Sequence, residues 1–126
     1  MSRFLLLVPL LLLACPGAAT AQSGQEKQIL TMTRDSWIGF RDFNGRQLVY
    51  FTHLEAWRCG IRTVRYSIND RSLDQTWELQ PCDPQNPNAV TTDKPYISLA
   101  PGTAQSVSVQ LTFTDGSQSP IETFKP

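Results

Sequence analysis

The sequence is short of the residues that most enzymes use for chemistry. It has one histidine, His53, and three cysteines, of which only Cys59 and Cys82 follow the first 21 residues. It contains no Gly-x-Ser-x-Gly elbow, no phosphate-binding glycine loop and no His-Glu-x-x-His motif. Two cysteines and one histidine are fewer than the four ligands usual for zinc. We therefore expect no catalytic residues, no metal and no cofactor, and we expect His53 to be half-buried with a hydrogen-bond partner.

Long apolar runs are missing outside the N-terminal region. The longest run, Phe4–Ala14, has about eleven residues, whereas a helix needs roughly 20 to cross a bilayer. The run follows Arg3 and precedes small residues that end in Ala19-Thr20-Ala21, a layout typical of a secretory signal peptide. We expect residues 1–21 to be this signal peptide and the mature protein to be periplasmic or secreted, without a transmembrane segment.

The same region supports an alternative anchor. The segment that ends at Cys15 resembles a lipobox, in which Cys15 is acylated and becomes the N-terminus of a lipoprotein. In either case we expect residues 22–27 to be a polar tether and residues 28–126 to be one domain, because about 105 residues is the size of a single domain.

Neither sign of charge dominates. Without Arg3, ten lysines and arginines face eleven aspartates and glutamates, which gives a net charge near minus one. Bulk electrostatics therefore give no reason to expect nucleic acid or an anionic membrane as a partner. A basic binding site would have to be local.

A helical period is missing as well. From Ser36 onwards, no stretch of eleven residues keeps apolar residues at a spacing of 3.6. Short runs of alternating apolar and polar residues are separated instead by turn residues, and Asn44-Gly45 and Asp115-Gly116 each predict a tight hairpin turn. About seven such strands predict an all-β fold, a small antiparallel β-sandwich with one disulfide.

Single strands can be placed in this sandwich. Leu48–Phe51 is apolar at four successive positions, which predicts a central strand covered on both faces and ending near His53. Ile61–Ile68 alternates and predicts one core face and one solvent face. Four prolines within residues 81–95 predict a loop, and Pro120 marks the last strand as an edge.

The second half of the chain resembles a known group of domains. "VRYSIND", a proline-rich loop, "PYISLAPGT" and "SVSVQLTFTDGSQS" are similar in order to immunoglobulin-like and fibronectin type III-like domains of bacterial envelope and carbohydrate-active proteins. The likeness covers residues 62–119. The resemblance implies the same β-sandwich fold and the role of an accessory module.

Cys59 and Cys82 are predicted to form a disulfide, because thiols of an exported chain are normally oxidised. The expected hairpin pairs Ile61–Ile68 with Thr76–Gln80 about a turn near residue 72, so that opposite residue numbers add up to about 144. This register brings Cys82 close to Cys59. Closing a loop of about 24 residues stabilises a fold by roughly 3 kcal/mol.

Arginines are concentrated in one part of the chain. Their guanidinium groups suit carboxylate, sulfate or phosphate groups on a partner. We predict a binding surface at the corner that the disulfide fixes, with Arg65 on the solvent face of its strand and Arg62 in the core phase. Its residues are Trp57, Arg58, Arg62 and Arg65; the wider cluster adds Arg41, Arg46 and Arg71.

Structural roles are the alternative for these residues. The arginines could form an ordinary solvated face paired with Asp42, Glu55 or Asp70. Trp57 could pack against the disulfide, and Trp77 is expected to anchor the core.

The combined prediction is an exported, non-enzymatic binding or accessory module of the bacterial envelope that recognises an envelope protein or a cell-wall glycan. The leading alternative is a structural subunit that assembles through an edge strand. A small secreted enzyme ranks third, since paired carboxylates need only meet in space.

Overall fold

The computed structural model describes residues 25–126 and, before them, Pro9 alone. The predicted signal peptide apart from Pro9, its cleavage site after Ala21 and the alternative lipidation site Cys15 lie outside the described residues.

Seven strands and two short α-helices follow one another along the described chain. The strands are β1 (Gly39–Phe43), β2 (Arg46–Tyr50), β3 (Ile61–Ile68), β4 (Gln75–Trp77), β5 (Tyr96–Leu99), β6 (Val107–Phe113) and β7 (Glu122–Phe124). The helices are α1 (Gln25–Met32) and α2 (Thr52–Ala56), and 3-10 turns span Arg34–Ser36 and Arg58–Gly60. Sheet A has the antiparallel order β1-β2-β5, and sheet B has the antiparallel order β4-β3-β6-β7. The predicted small all-β sandwich is confirmed.

Local turn chemistry accounts for two of the hairpins. Asn44 and Gly45 have φ angles of 54° and 70°, the pair of left-handed conformations that a tight turn between β1 and β2 requires. Gly116 has a φ angle of 86° between β6 and β7. The predictions that β2 is a central strand and that the last strand is an edge are also confirmed.

The core lies between the two sheets and is closed by α1. Leu30 of α1 belongs to the same buried cluster as the inward residues of β2, β3 and β6. Trp37 is only 2% exposed, and its indole N–H donates to the carbonyl oxygen of Leu30 at 2.9 Å. Trp77 was expected in this central position but is half-buried, because it lies on the three-residue edge strand β4. It stacks on Phe51 with ring centroids 4.2 Å apart.

Helix α1 begins inside the predicted tether. Gln25 and its neighbours form the first turn of the helix, and Lys27 Nζ donates to Asp115 Oδ2 at 2.9 Å and to Ser117 Oγ at 2.8 Å. Residues 25–27, which were expected in the tether, therefore belong to helix α1. Glycine at position 60 permits this packing, since a Cβ atom there would overlap the Cβ atom of Glu26.

Helix α2 replaces the predicted end of the second strand. The strand stops at Tyr50, and His53 lies in α2 rather than on a strand. His53 is half-buried, and its Nε2 atom is 2.8 Å from Thr33 Oγ1, as expected for a histidine with a partner. Burial lowers the pKa of His53, because it disfavours the charged imidazolium.

Candidate functional site

The Cys59–Cys82 disulfide is present, with Cα atoms 4.9 Å apart. The strands that lead to it pair differently from the prediction. Val64 lies opposite Trp77, so opposite residue numbers add up to 141 rather than 144. Continued beyond the ladder, the observed register places position 59 directly opposite position 82. The prediction missed this because Asn69 and Leu73 have φ angles of 64° and 53°, which make the connection an irregular loop.

Arg58 is a structural residue of this corner. Its side chain is buried, at 4% exposure. The guanidinium donates to three carbonyl oxygens, those of Pro81 at 2.9 Å, Glu55 at 2.9 Å and Ala89 at 2.7 Å. These bonds fasten the proline-rich loop to α2. Arg58 was predicted to contact a partner. Its guanidinium instead lies buried within the domain, where it is bonded to these three carbonyl oxygens.

A buried carboxylate completes the corner. Glu55 is 1% exposed and accepts hydrogen bonds from the indole N–H of Trp77 at 2.9 Å and from the backbone N–H of Gln80 at 3.2 Å. Trp57 is half-buried and packs against the core. The corner that holds the disulfide is thus packed and hydrogen-bonded within the domain.

The two remaining residues of the predicted surface, Arg62 and Arg65, are exposed. Arg62 was expected in the core phase, yet the register of β3 shifts between Ile61 and Thr63 and leaves Arg62 exposed. Its Nη2 atom donates to the carbonyl oxygen of Thr114 at 3.1 Å. Arg65 lies on the outer face of sheet B, as predicted. Because Arg58 is buried and Trp57 is half-buried, the four residues Trp57, Arg58, Arg62 and Arg65 do not together form one exposed surface.

Sheet A brings together a different set of exposed groups. Its register aligns Arg41 with Leu48 and Ser98, and the alternate residues Val49, Ile97 and Leu99 belong to the core or pack against it. The side chains on the other side of the sheet therefore face away from the core. We call this surface the outer face of sheet A; it comprises Arg41, Phe43, Arg46, Leu48, Tyr50, Tyr96 and Ser98.

Aromatic rings dominate this face. Tyr50 and Tyr96 are neighbours in the register, and their ring centroids are 5.1 Å apart with a tilt of 55°. Phe43, at the hairpin end, is 48% exposed, which is rare for a side chain of its size in this domain. Leu48 is only 6% exposed although it lies outside the core cluster. The face is therefore an apolar platform packed by its own side chains.

Two arginines lie on the same platform without an acidic partner. The Cζ atom of Arg41 is 4.3 Å from the centroid of the Phe43 ring, a cation–π contact. Arg46 donates to Ser98, to its Oγ at 3.0 Å and to its carbonyl oxygen at 3.1 Å. Among the described residues, the only ion pair joins Lys27 and Asp115, well outside this face.

Two depressions lie at the ends of the platform. The one at the hairpin end has a volume of about 400 Å³ and no aspartate or glutamate in its lining; it is formed by Phe43, Asn44, Arg46, Leu48, Lys94, Tyr96 and Ser98. The one at the other end has a volume of about 350 Å³ and is formed by Ser36, Trp37, Gly39, Tyr50, Thr52, His53 and Ala56. Phe43 and Tyr96 line the first depression and Tyr50 lines the second, and the neighbouring rings of Tyr50 and Tyr96 connect the two; we call this arrangement the track along β2.

This face could have been found in the sequence. In "GFRDFNGRQLVYF" the Asn44-Gly45 turn fixes the register, and counting outward from it places Arg41 opposite Leu48 and Phe43 opposite Arg46. The prediction considered how many arginines lie in this region, but not which residues of the hairpin share one face. Tyr96 carried no signal of its own, because its strand follows a long loop.

Comparison with known proteins finds no family model that matches the chain, and neither a curated protein nor a solved structure matches it. Within the described residues, no helix is long and apolar enough to cross a bilayer. In the same part of the chain, no three histidine, cysteine, aspartate or glutamate side chains are grouped as metal ligands.

Proposed function

We propose that this protein is an exported, non-enzymatic binding module of the bacterial envelope, which holds an envelope protein or a cell-wall glycan on the outer face of sheet A. The observation that carries the proposal is the combination of three aromatic rings with two arginines that have no acidic partner. Aromatic and arginine side chains are the groups that contribute most to binding hot spots.

Rigidity of the platform supports a binding role. The rings lie on paired strands, and the two-residue turn at Asn44-Gly45 holds β1 against β2. Side chains that are already ordered lose little further entropy when a ligand binds. The outer face of sheet A is thus preorganised, whereas a loop site would have to be ordered first.

Export is supported by the disulfide and by the N-terminal sequence. Disulfides persist in oxidising compartments such as the periplasm or the extracellular medium. Cys59 and Cys82 are bonded in the fold, and the N-terminal residues have the layout of a secretory signal peptide. The proposed location is periplasmic or secreted, with a lipoprotein anchored through Cys15 as the alternative.

The acidic residues with altered pKa values support a structural rather than a catalytic role. The backbone N–H of Ser72 lowers the pKa of Asp70, and the backbone N–H of Gln85 lowers the pKa of Asp83. Both carboxylates accept these bonds from residues two positions later in the chain, which is typical of turns. Their charge therefore serves local backbone structure.

The proposal is tested by retention on envelope fractions. Purified sacculi and solubilised envelope proteins are immobilised separately, and three forms of the exported protein are passed over each: wild type, Arg41→Gln with Phe43→Ser, and Arg65→Gln. The last is the matched control, an exposed arginine on the other sheet. We expect one fraction to retain wild type and the control but not the double variant. Equal retention of the double variant, or no retention of wild type, would contradict the proposal.

The edge-strand alternative has one observation in its favour. A groove of about 580 Å³ opens between β1 and the C-terminal end of the chain, lined in part by Phe40, Gln47 and Lys125. Against it, β7 has only three residues, and β1 carries Arg41 and Asp42 in its middle. Short, charged edge strands are features that prevent pairing between sheets. Binding on the face of sheet A is therefore the better supported function.

A further inference from the structure

We infer that the ligand of the outer face of sheet A is an acidic polysaccharide chain, whose sugar rings stack on Tyr50, Tyr96 and Phe43 and whose carboxylate or sulfate groups pair with Arg41 and Arg46. The inference rests on the proposed function and gives its ligand a chemical class.

Charge complementarity is the first argument. Arg41 has no hydrogen bond to another described side chain or backbone group; its Cζ atom lies 4.3 Å from the centroid of the Phe43 ring, and its side chain also lines the groove beside β1. Arg46 uses Nε and Nη2 for Ser98, which leaves Nη1 free to bind a ligand. Lys94 and Arg46 both line the depression at the hairpin end, and no carboxylate lines it. Anionic groups on a ligand would neutralise this local charge; the guanidinium of Arg41 can bind them in a bidentate way, and Arg46 can donate through Nη1.

The shape of the face is the second argument. Arg46 and Tyr50 lie four residues apart on β2, a distance of about 14 Å along a strand. The depressions of about 400 Å³ and about 350 Å³ extend the track at both ends. An extended, repeating ligand fits such a track better than a compact small molecule, which would need an enclosed pocket.

The groups exposed on the face of sheet A favour a polysaccharide over a peptide or a nucleic acid as the extended ligand. A peptide that binds a sheet usually pairs with a free edge, where main-chain N–H and C=O groups are available. The face of sheet A presents side chains only. Nucleic acid has one charge per nucleotide and needs many basic contacts, whereas this face has Arg41, Arg46 and, at one end, Lys94. A chain of sugar rings with spaced acidic groups matches both the rings and the few cations.

The test uses calorimetry to compare how tightly the exported protein binds the charged and the neutral form of the same polysaccharide. Partly methyl-esterified oligogalacturonate carries spaced free carboxylates, and the fully esterified chain has the same rings without the charge; lightly sulfated dextran and dextran form a second pair with sulfate. We expect at least tenfold tighter binding of each charged chain than of its neutral partner. We also expect the affinity to fall as salt is raised from 50 to 500 mM, because the charges are exposed. This salt measurement uses wild type and does not depend on the folding of any variant.

The variants assign the effect to residues. Arg41→Gln and Arg46→Gln should each weaken binding about tenfold, the effect of one charge-assisted hydrogen bond. Tyr50→Ala should weaken acidic and neutral chains alike, while Arg65→Gln should bind as wild type does. Melting temperatures close to that of wild type confirm that the variants fold.

The outcomes separate the inference from the proposed function. Equal binding of charged and neutral chains, or an effect of Arg65→Gln equal to that of Arg41→Gln, would overturn the acidic ligand. Retention by envelope proteins through the outer face of sheet A, with no binding of any polysaccharide, would also overturn it but leave the binding module standing. Failure of every probe and every envelope fraction would overturn both.

Discussion

Arg58 Nη1 donates to the carbonyl oxygen of Ala89 at 2.7 Å, and this bond ties the 3-10 turn Arg58–Gly60 to a loop residue 31 positions later in the chain. The same guanidinium holds Pro81 and Glu55. The guanidinium of Arg58, which the sequence suggested as a surface group, therefore stabilises this corner through buried hydrogen bonds.

Replacement of Arg58 should destabilise the domain. Arg58→Ala leaves three carbonyl oxygens without their donor, and we expect the free energy of unfolding to fall by about 3 kcal/mol. Arg65→Ala, at an exposed position, should change it by less than about 0.5 kcal/mol. Urea unfolding followed by tryptophan fluorescence measures both. Two equal, small effects would mean that the Arg58 bonds do not stabilise the fold.

Loss of the disulfide should be costly as well. The bond joins residues 23 positions apart, and a loop of this size is worth about 3 kcal/mol through the entropy of the unfolded chain. We expect this loss for Cys59→Ala with Cys82→Ala, measured by the same unfolding experiment. Peptide mapping of exported wild type without reductant should recover the cross-linked pair. Free thiols at both positions would contradict the structure.

The contact of α1 with the corner gives a sharper test. A Cβ atom at position 60 would overlap the Cβ atom of Glu26, so Gly60→Ala should displace α1 and cost about 1–3 kcal/mol. Adding Glu26→Gly removes the overlap and should restore slow hydrogen exchange in α1, whereas adding Glu26→Ala keeps the Cβ atom and should not. Equal rescue by both second substitutions would show that the overlap is not the cause.

Stability should fall in acid through the turn carboxylates. Hydrogen bonds from the Ser117 side chain and from Lys27 hold the pKa of Asp115 well below its ordinary range. The unfolded state therefore binds more protons than the folded state below about pH 4, so stability is present above that pH and is lost as the pH falls. Asp115→Asn should show a smaller loss between pH 5 and pH 2.5 than wild type, measured by urea midpoints. An identical pH profile would show that Asp115 does not contribute.

Features encoded by local chemistry could be predicted from the sequence. Asn44-Gly45 and Asp115-Gly116 determine their turns by backbone conformation alone, and the pairing of Cys59 with Cys82 could be predicted because they are the two cysteines that follow the first 21 residues. The alternation of Ile61–Ile68 separated the buried Val64 and Tyr66 from the exposed Arg65, whereas Ser67, predicted on the solvent side with Arg65, is fully buried.

Features that depend on tertiary contacts could not. Helices α1 and α2 have eight and five residues, too few for a helical period to be recognised, and they are held by packing rather than by propensity. The register shift after Ile61 moved Arg62 out of the core phase. Nothing in the local sequence of Arg58 indicates that the carbonyl oxygens of a distant loop surround it.

The central claim is that the ligand binds the outer face of sheet A, and chemical-shift mapping tests it most directly. Isotope-labelled protein is titrated with partly methyl-esterified oligogalacturonate, and amide and aromatic signals are followed. We predict that the largest changes occur in β1, β2 and β5, including the ring signals of Tyr50 and Tyr96. Changes centred on Trp57, Arg62 and Arg65, or spread evenly over the domain, would contradict this placement of the site.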